Sequence, residues 1–200
     1  MVTVTCVLRS GGVFKRLHVD KLRRSVERWL SAKHEFVCLD DDKLEHGWPG
    51  WWSKIELFKP GRFSGRVLYI DLDNVICGPL DPLIYGTGPV FMRDLHVDMI
   101  SSAVMAWDAG DLDHIYESFA ADPEDAMDGK HRPAGQAIYG DQSWIHKQMR
   151  GKPYQYMQHI RPGSICSWRD EPGKASIACF FHRDKPWNST GWAADLWNQA

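Results

Sequence analysis

The segment Val67-Leu-Tyr-Ile-Asp71-Leu-Asp73-Asn-Val75 has residue types and spacing suited to chemistry. An apolar run delivers two carboxylates, two positions apart. Side chains at that spacing share a face of an extended chain. On the turn that ends a strand, both can approach one hard cation. Oxygen-only ligation suits Mg2+ or Mn2+, with phosphate oxygens completing the shell. The plainer reading is two solvated aspartates that cap backbone amides. Lys185, ahead of Pro186 and Trp187, offers a cation for an anionic ligand, or is a surface lysine beside a proline turn. Trp48, Trp51 and Trp52 cluster near Lys54, as core or as the ring wall of a pocket. His18, His34, His46, His96, His114, His131, His146 and His159 show no metal-ligand spacing.

The elements that must hold these residues read as alternating strand and helix. Val2–Leu8 alternates like a strand, and Arg9-Ser-Gly-Gly12 turns the chain. From Leu17 to Ala32, Leu22, Val26, Trp29 and Leu30 recur at helical spacing, with Lys21, Arg23, Arg24, Glu27 and Arg28 on the other face. Glu35–Leu39 is a second strand, closing on Asp40-Asp41-Asp42. This is a βαβ unit with parallel strands. Trp51–Phe58 forms a short helix stopped by Pro60-Gly61, and Arg66–Ile70 is a buried strand that runs into Asp71. Further strands are expected at Pro89–Met92, Met99–Trp107 and Ile177–Phe181. A helix is expected at Leu112–Ala121 and another at Asp141–Met149, capped by Asp141. The stretch from Ala120 to Gly140 reads as a long functional loop. The fold class is α/β with a mainly parallel sheet, in which ligands sit at the carboxyl ends of strands.

Two enzyme classes use a strand that ends in such a carboxylate pair. Asp71-Leu-Asp73-Asn-Val75 resembles the first motif of the haloacid dehalogenase-like phosphatases, which would make Asp71 a nucleophile and Asp73 a general acid. It equally resembles the DxD of GT-A glycosyltransferases, whose metal holds the diphosphate of a sugar nucleotide. The surroundings favour the second, because a complete βαβ unit precedes the motif. Gly50-Trp-Trp-Ser-Lys54-Ile-Glu-Leu-Phe58 resembles the basic helix ahead of the DxD in glycosyltransferase family 8. Met99-Ile-Ser-Ser-Ala-Val-Met105 is similar to that family's NSGVM strand, with Ser101 or Ser102 near the Asn position. Asp141-Gln142 resembles its DQ pair, and Phe180–Trp187 its closing segment ending in KPW. The resemblance runs from residue 2 to about residue 187 in the family's order.

The resemblance implies a single GT-A, Rossmann-like domain over residues 1–200. Its nucleotide-binding half is about 1–75, a donor-sugar and acceptor half about 76–187, and a C-terminal tail 188–200. It implies a hexosyltransferase that uses Mn2+ or Mg2+. A nucleoside diphosphate sugar, UDP-sugar above all, would be the donor, and a glycan, a lipid-linked sugar or another hydroxyl compound the acceptor. Transfer would retain configuration by front-face attack, the leaving phosphate helping to deprotonate the acceptor. Val7 and Arg9 would flank the base, and an acid of the 40–42 run, with Asp40 nearest the strand, would meet the nucleoside. Asp71, Leu72 and Asp73 would hold the metal and donor. Lys54 would lie against the donor, Asp141 and Gln142 would orient the sugar hydroxyls, and Lys185 would contact the diphosphate. In one register of the closing segment Cys179 takes the place of the metal-binding histidine; in the other His182 does. A thiolate is a poor ligand for Mn2+ or Mg2+, so His182 is the expected third ligand. A dehalogenase-like phosphatase and a non-catalytic nucleotide-sugar-binding relative are the alternatives.

Composition sets the outer limits. The charge of −2 over 200 residues leaves no basic excess for a polyphosphate backbone, which argues against nucleic acid as a partner. Apolar runs are too short to span a bilayer. The N-terminus lacks the basic flank and apolar stretch of a signal peptide. Five cysteines without a CxxC pair read as reduced thiols buried in strands, and hence a cytoplasmic setting. Ten tryptophans and six tyrosines suit a protein that stacks flat rings against sugars or bases.

Overall fold

The computed structural model describes residues 1–129, 140–181 and 183–200. Strand β1 (Val2–Val7) leads through helix α1 (Arg16–Trp29) to β2 (His34–Leu39), and a 3-10 helix (Gly50–Phe58) precedes β3 (Arg66–Ile70). Then follow β4 (Val75–Ile76), α2 (Asp81–Ile84), β5 (Val90–Arg93) and β6 (Ile100–Asp108). Helices α3 (Asp113–Ala121), α4 (Pro123–Met127) and α5 (Asp141–Gln148) come next, and after them β7 (Gln155–Tyr156) and α6 (Met157–Ile160). The chain finishes with β8 (Ile165–Ser167), β9 (Ile177–Cys179), a 3-10 turn (Pro186–Asn188) and α7 (Trp192–Gln199).

The main sheet has the order β2-β1-β3-β6-β5-β7. β1 pairs in parallel with β2 and with β3, as the βαβ reading expects. β6 runs antiparallel to both of its neighbours, while β5 and β7 are parallel to each other. Five strands therefore share one direction and β6 opposes them. This reversal brings the start of β6 beside the carboxyl end of β3, with Val104 opposite Ile70. A second, three-stranded sheet, β4-β9-β8, which the strand pattern did not anticipate, lies after the Asp71–Asp73 turn.

Alternation along β3 separates two cores. Leu68 and Ile70 join Val4, Cys6, Val104 and the apolar stripe of α1 (Val19, Leu22, Val26) on one face. Val67 and Tyr69 join Met105, Trp107, Phe119 and the 3-10 helix on the other. All five residues of β3 are buried, as covered faces on both sides require.

Several expectations are corrected. The α1 helix begins at Arg16 and stops at Trp29, short of Ala32. The stretch after Ala120 is not all loop, since Pro123–Met127 is helical with Asp122 accepting from the Asp125 amide at its start; residues 130–139 lie outside the described residues. The last strand ends at Cys179, so Phe180 and Phe181 fall beyond it. The stretch 188–200 is more than a tail: α7 buries Ala193 and Trp197 against Val75, Ala178 and Phe180. Cys6, Cys38 and Cys179 are buried in strands, whereas Cys77 and Cys166 are half-buried. Among the described residues no helix is long and apolar enough to cross a membrane.

Candidate active site

A cavity of about 740 Å3 opens where β1 and β3 end and β6 begins, within the usual range for a small-molecule site. Of the residues singled out from the sequence, Val7, Arg9, Lys54, Asp71, Leu72, Asp73, Asp141, Gln142 and Lys185 all line it. These come from stretches far apart in the chain.

The turn that carries the carboxylates is pinned from both sides. The Asp71 amide donates to Ala103 O at 2.9 Å, and the Asn74 amide donates to Asp71 O at 3.1 Å. Asn74 Nδ2 also donates to Ala103 O, at 3.0 Å. The reversed strand β6 is thus the clamp on the Asp71–Asn74 turn.

Lys54 is the hub of the buried side. Its Nζ lies 3.0 Å from Asp71 Oδ1 and 3.1 Å from Asp141 Oδ2, and donates to Ser102 Oγ at 3.2 Å. Burial works against its charge, but Asp141 and Asp71 outweigh that and hold its pKa above the ordinary lysine value. Tyr69 donates its hydroxyl to Asp71 Oδ1. Burial pushes the Asp71 carboxyl up to about 6; Lys54 opposes the rise, and Asp73 and Asp141 add to it. On the outer side, Lys185 Nζ donates to Asp73 Oδ2 at 2.6 Å.

Asp141 is not the helix cap the sequence suggested. Gly140 holds the N-cap position without a side-chain bond, and Asp141, one residue on, turns to Lys54. Gln142 Nε2 donates to Asp94 Oδ2 at 3.0 Å, and the Ser102 amide reaches Gln142 Oε1 at 3.4 Å.

Asp40 is not among the residues lining the cavity; it pairs with Arg16 at 3.0 Å. Its neighbour Asp41 holds the cavity rim, bonding Arg9 at 2.7 Å and the Ser10 amide at 3.1 Å. His182 lies outside the described residues. Cys179 is buried with its Sγ 3.6 Å from Met92 Sδ, and burial pushes its thiol well above the ordinary value, which fits a packed apolar side chain. Of the tryptophans, Trp48 and Trp52 are core, while Trp51 is half exposed and walls the cavity. Trp51 also bears on Gly140, where a Cβ would sit 2.7 Å from its Nε1.

The sequence reading missed Tyr69 as a site residue and gave Asp94 no role. The alternation of β3 marks Tyr69 as core, and nothing in its spacing reveals that its hydroxyl reaches Asp71.

Among the described residues no three His, Cys, Asp or Glu side chains converge on one metal position. The donor set nevertheless fits a hard cation. Asp71, Asp73 and Asp141 face Lys54 and Lys185, which leaves the cluster one positive charge short, and all their donor atoms are oxygens.

No family model and no curated protein sequence matches the chain. Solved structures do. The apo form of the glycosyltransferase GlyE of Streptococcus pneumoniae TIGR4 superposes with a TM-score of 0.68 at 13% identity, over 98% of this chain and 59% of that one. The galactosyltransferase LgtC, in complex with donor and acceptor sugar analogs, gives 0.66 at 13% identity, over 98% of this chain and 94% of that one. An active-site mutant of LgtC gives 0.65 at 12% identity. The chain has the GT-A fold. Its neighbours within that fold are of the family 8 type. The chain thus spans nearly the whole of the LgtC structure and about three fifths of the GlyE one. In the GT-A fold as this chain builds it, the cavity lies at the carboxyl ends of the parallel strands β1 and β3, as expected for open α/β sheets.

Proposed function

We propose that the protein is a glycosyltransferase that moves a hexose from a nucleoside diphosphate sugar, UDP-sugar above all, to a hydroxyl acceptor. The observation that carries this reading is the meeting of Asp71, Asp73, Asp141, Lys54 and Lys185 in one cavity, on a fold shared with glycosyltransferases. Asp71 and Asp73 would hold Mn2+ or Mg2+, which supplies Lewis-acid stabilisation of the departing diphosphate. Lys185 adds a fixed positive charge where negative charge develops. Lys54 braces Asp71 and Asp141, so that Asp141 and Gln142 present their polar atoms to the sugar from the start of α5. Transfer with retention needs no protein base if the leaving phosphate takes the acceptor proton, and the reading assigns none.

The phosphatase alternative needs Asp71 free to attack phosphorus. Its two oxygens are instead engaged by Lys54 and Tyr69, which favours a holding role over a nucleophilic one.

The deciding experiment is a thermal-shift series with nucleoside diphosphates, with and without Mn2+. A ligand that binds only the folded chain raises its melting temperature by mass action. UDP or another nucleoside diphosphate should stabilise the protein with Mn2+ or Mg2+ present and fail to do so in excess EDTA. An equal shift in EDTA overturns the metal-bridged diphosphate. Formation of a beryllofluoride adduct on Asp71, with phosphate release from a simple phosphomonoester, would establish the phosphatase instead.

A further inference from the structure

The two lysines of the cavity are held very differently. Lys54 makes contacts to Asp71, Asp141 and Ser102 together. Moving it would strand the buried Asp141 and the half-buried Asp71. Among the described residues, the Lys185 side chain meets a single oxygen of Asp73, from a similarly half-buried position. Its backbone is tied down. The Lys185 amide donates to Asn188 Oδ1 at 2.7 Å, and Asn188 Nδ2 returns to Arg183 O at 3.0 Å. Two residues on, the Trp187 ring stacks on His18 of α1 at 4.2 Å and 9°. The anchor is fixed and only the four-carbon stem is free to swing, carrying a compact point charge.

The Asp73 oxygen that Lys185 occupies belongs to one of the two carboxylates assigned to the cation. Two positive charges on one carboxylate repel, and the repulsion is strong at short range in a partly buried cavity. We propose that Lys185 is a displaceable counter-ion: it neutralises Asp73 until a divalent cation takes that carboxylate, and its ammonium then transfers to the diphosphate. Metal and nucleotide consequently bind as a pair, each clearing the way for the other, and the metal alone binds weakly. This rests on the reading of a metal-bridged diphosphate given above. It adds that the same lysine opposes the metal before the nucleotide arrives and favours the pair afterwards. By linkage, the factor by which nucleotide tightens metal binding equals the factor by which metal tightens nucleotide binding.

The test follows Mn2+ binding to the full chain through the electron paramagnetic resonance signal of the free ion, without nucleotide and with saturating UDP. In the wild-type protein UDP should tighten Mn2+ binding by about tenfold or more. Lys185→Met should bind Mn2+ alone about fivefold tighter than wild type and show a smaller gain from UDP. Lys185→Gln, neutral but able to keep a hydrogen bond to Asp73, is the second neutral variant and should tighten in the same sense. Lys185→Arg keeps the charge and should stay close to wild type. A lysine that only touched phosphate would leave Mn2+ binding without nucleotide unmoved. So if both neutral variants bind Mn2+ alone no tighter than wild type, while UDP still tightens the wild type, the counter-ion role falls and the metal-bridged reading stands. If Lys185→Arg tightens as much as Lys185→Met, charge is not the cause and the role also falls. If wild type binds Mn2+ under neither condition, both readings fall together.

Discussion

Lys54 and Lys185 bring the same charge to one cavity under opposite constraints, and substitutions should separate them. Removing the Lys54 ammonium leaves the buried Asp141 and the half-buried Asp71 without their shared cation. Breaking one side of such an arrangement costs about 3 kcal/mol or more, so Lys54→Met should lower urea stability at pH 7.5 by that order. A loss below about 0.5 kcal/mol, the ordinary range for surface positions, would mean the hub is not structural. Asp73→Asn replaces a carboxylate by a neutral amide of the same shape. It should abolish the proposed transfer and donor hydrolysis while the circular dichroism spectrum is kept; near-normal turnover would remove Asp73 from the proposed metal site. At this scale the sequence was readable where chemistry and pattern coincide. Asp71 and Asp73 stand at the end of an unmistakable apolar strand, and the cavity contains both. It was unreadable where three acids follow one another. Only the path of the chain after β2 decides that Asp41, and not Asp40, meets Arg9. Tyr69 was hidden for the reason that its ring does pack in the core as its period predicts, and only the hydroxyl escapes.

Among the elements, β1 and α1 were legible from their periods, and β2 and β3 from short runs rich in apolar residues. Of the small sheet only β9 was legible, as part of the strand expected at Ile177–Phe181. β4 and β8 are two and three residues long, too short for alternation to register, and the sheet pairs segments distant in sequence. The direction of β6 was equally invisible, since a strand's residues do not state which way its neighbours run. The small sheet yields a test through Gly78, which follows β4. A Cβ there would lie 2.6 Å from the backbone oxygen of Ala175, and backbone cannot step aside as a side chain can. Gly78→Ala should cost about 2 kcal/mol through overpacking, read from denaturant unfolding. An unchanged midpoint would mean that the chain between β8 and β9 yields without cost.

For the molecule as a whole, the His18–Trp187 stack joins the first helix to the segment that presents Lys185. Burial lowers the His18 pKa below the ordinary value; Lys15 adds to this and Asp73 opposes it. An imidazole that resists protonation when folded gives up stability as pH falls below the ordinary histidine value of about 6.5, because the unfolded chain then binds the proton first. Asp71 acts in the reverse sense, its raised value favouring the folded chain as pH falls toward the ordinary carboxylate range. A comparison with His18→Gln isolates the histidine, since Asp71 is common to both proteins. Between pH 7.5 and pH 5 the wild type should lose more melting temperature than His18→Gln. Parallel curves would show that the stack does not exclude the proton. The match to LgtC at 13% identity shows that such a fold accommodates very different sequences, and the enclosure of β3 on both faces says where substitution is most restricted. Residues 67–70 alternate between the two cores and lead directly to Asp71. An exchange at any of them has to suit a fully packed set of neighbours and leave the turn in place. A saturation library scored for growth or binding should therefore show its deepest valley of tolerance across β3 and the turn to Asp73. It should rise over the charged face of α1, where Glu27 and Arg28 are exposed.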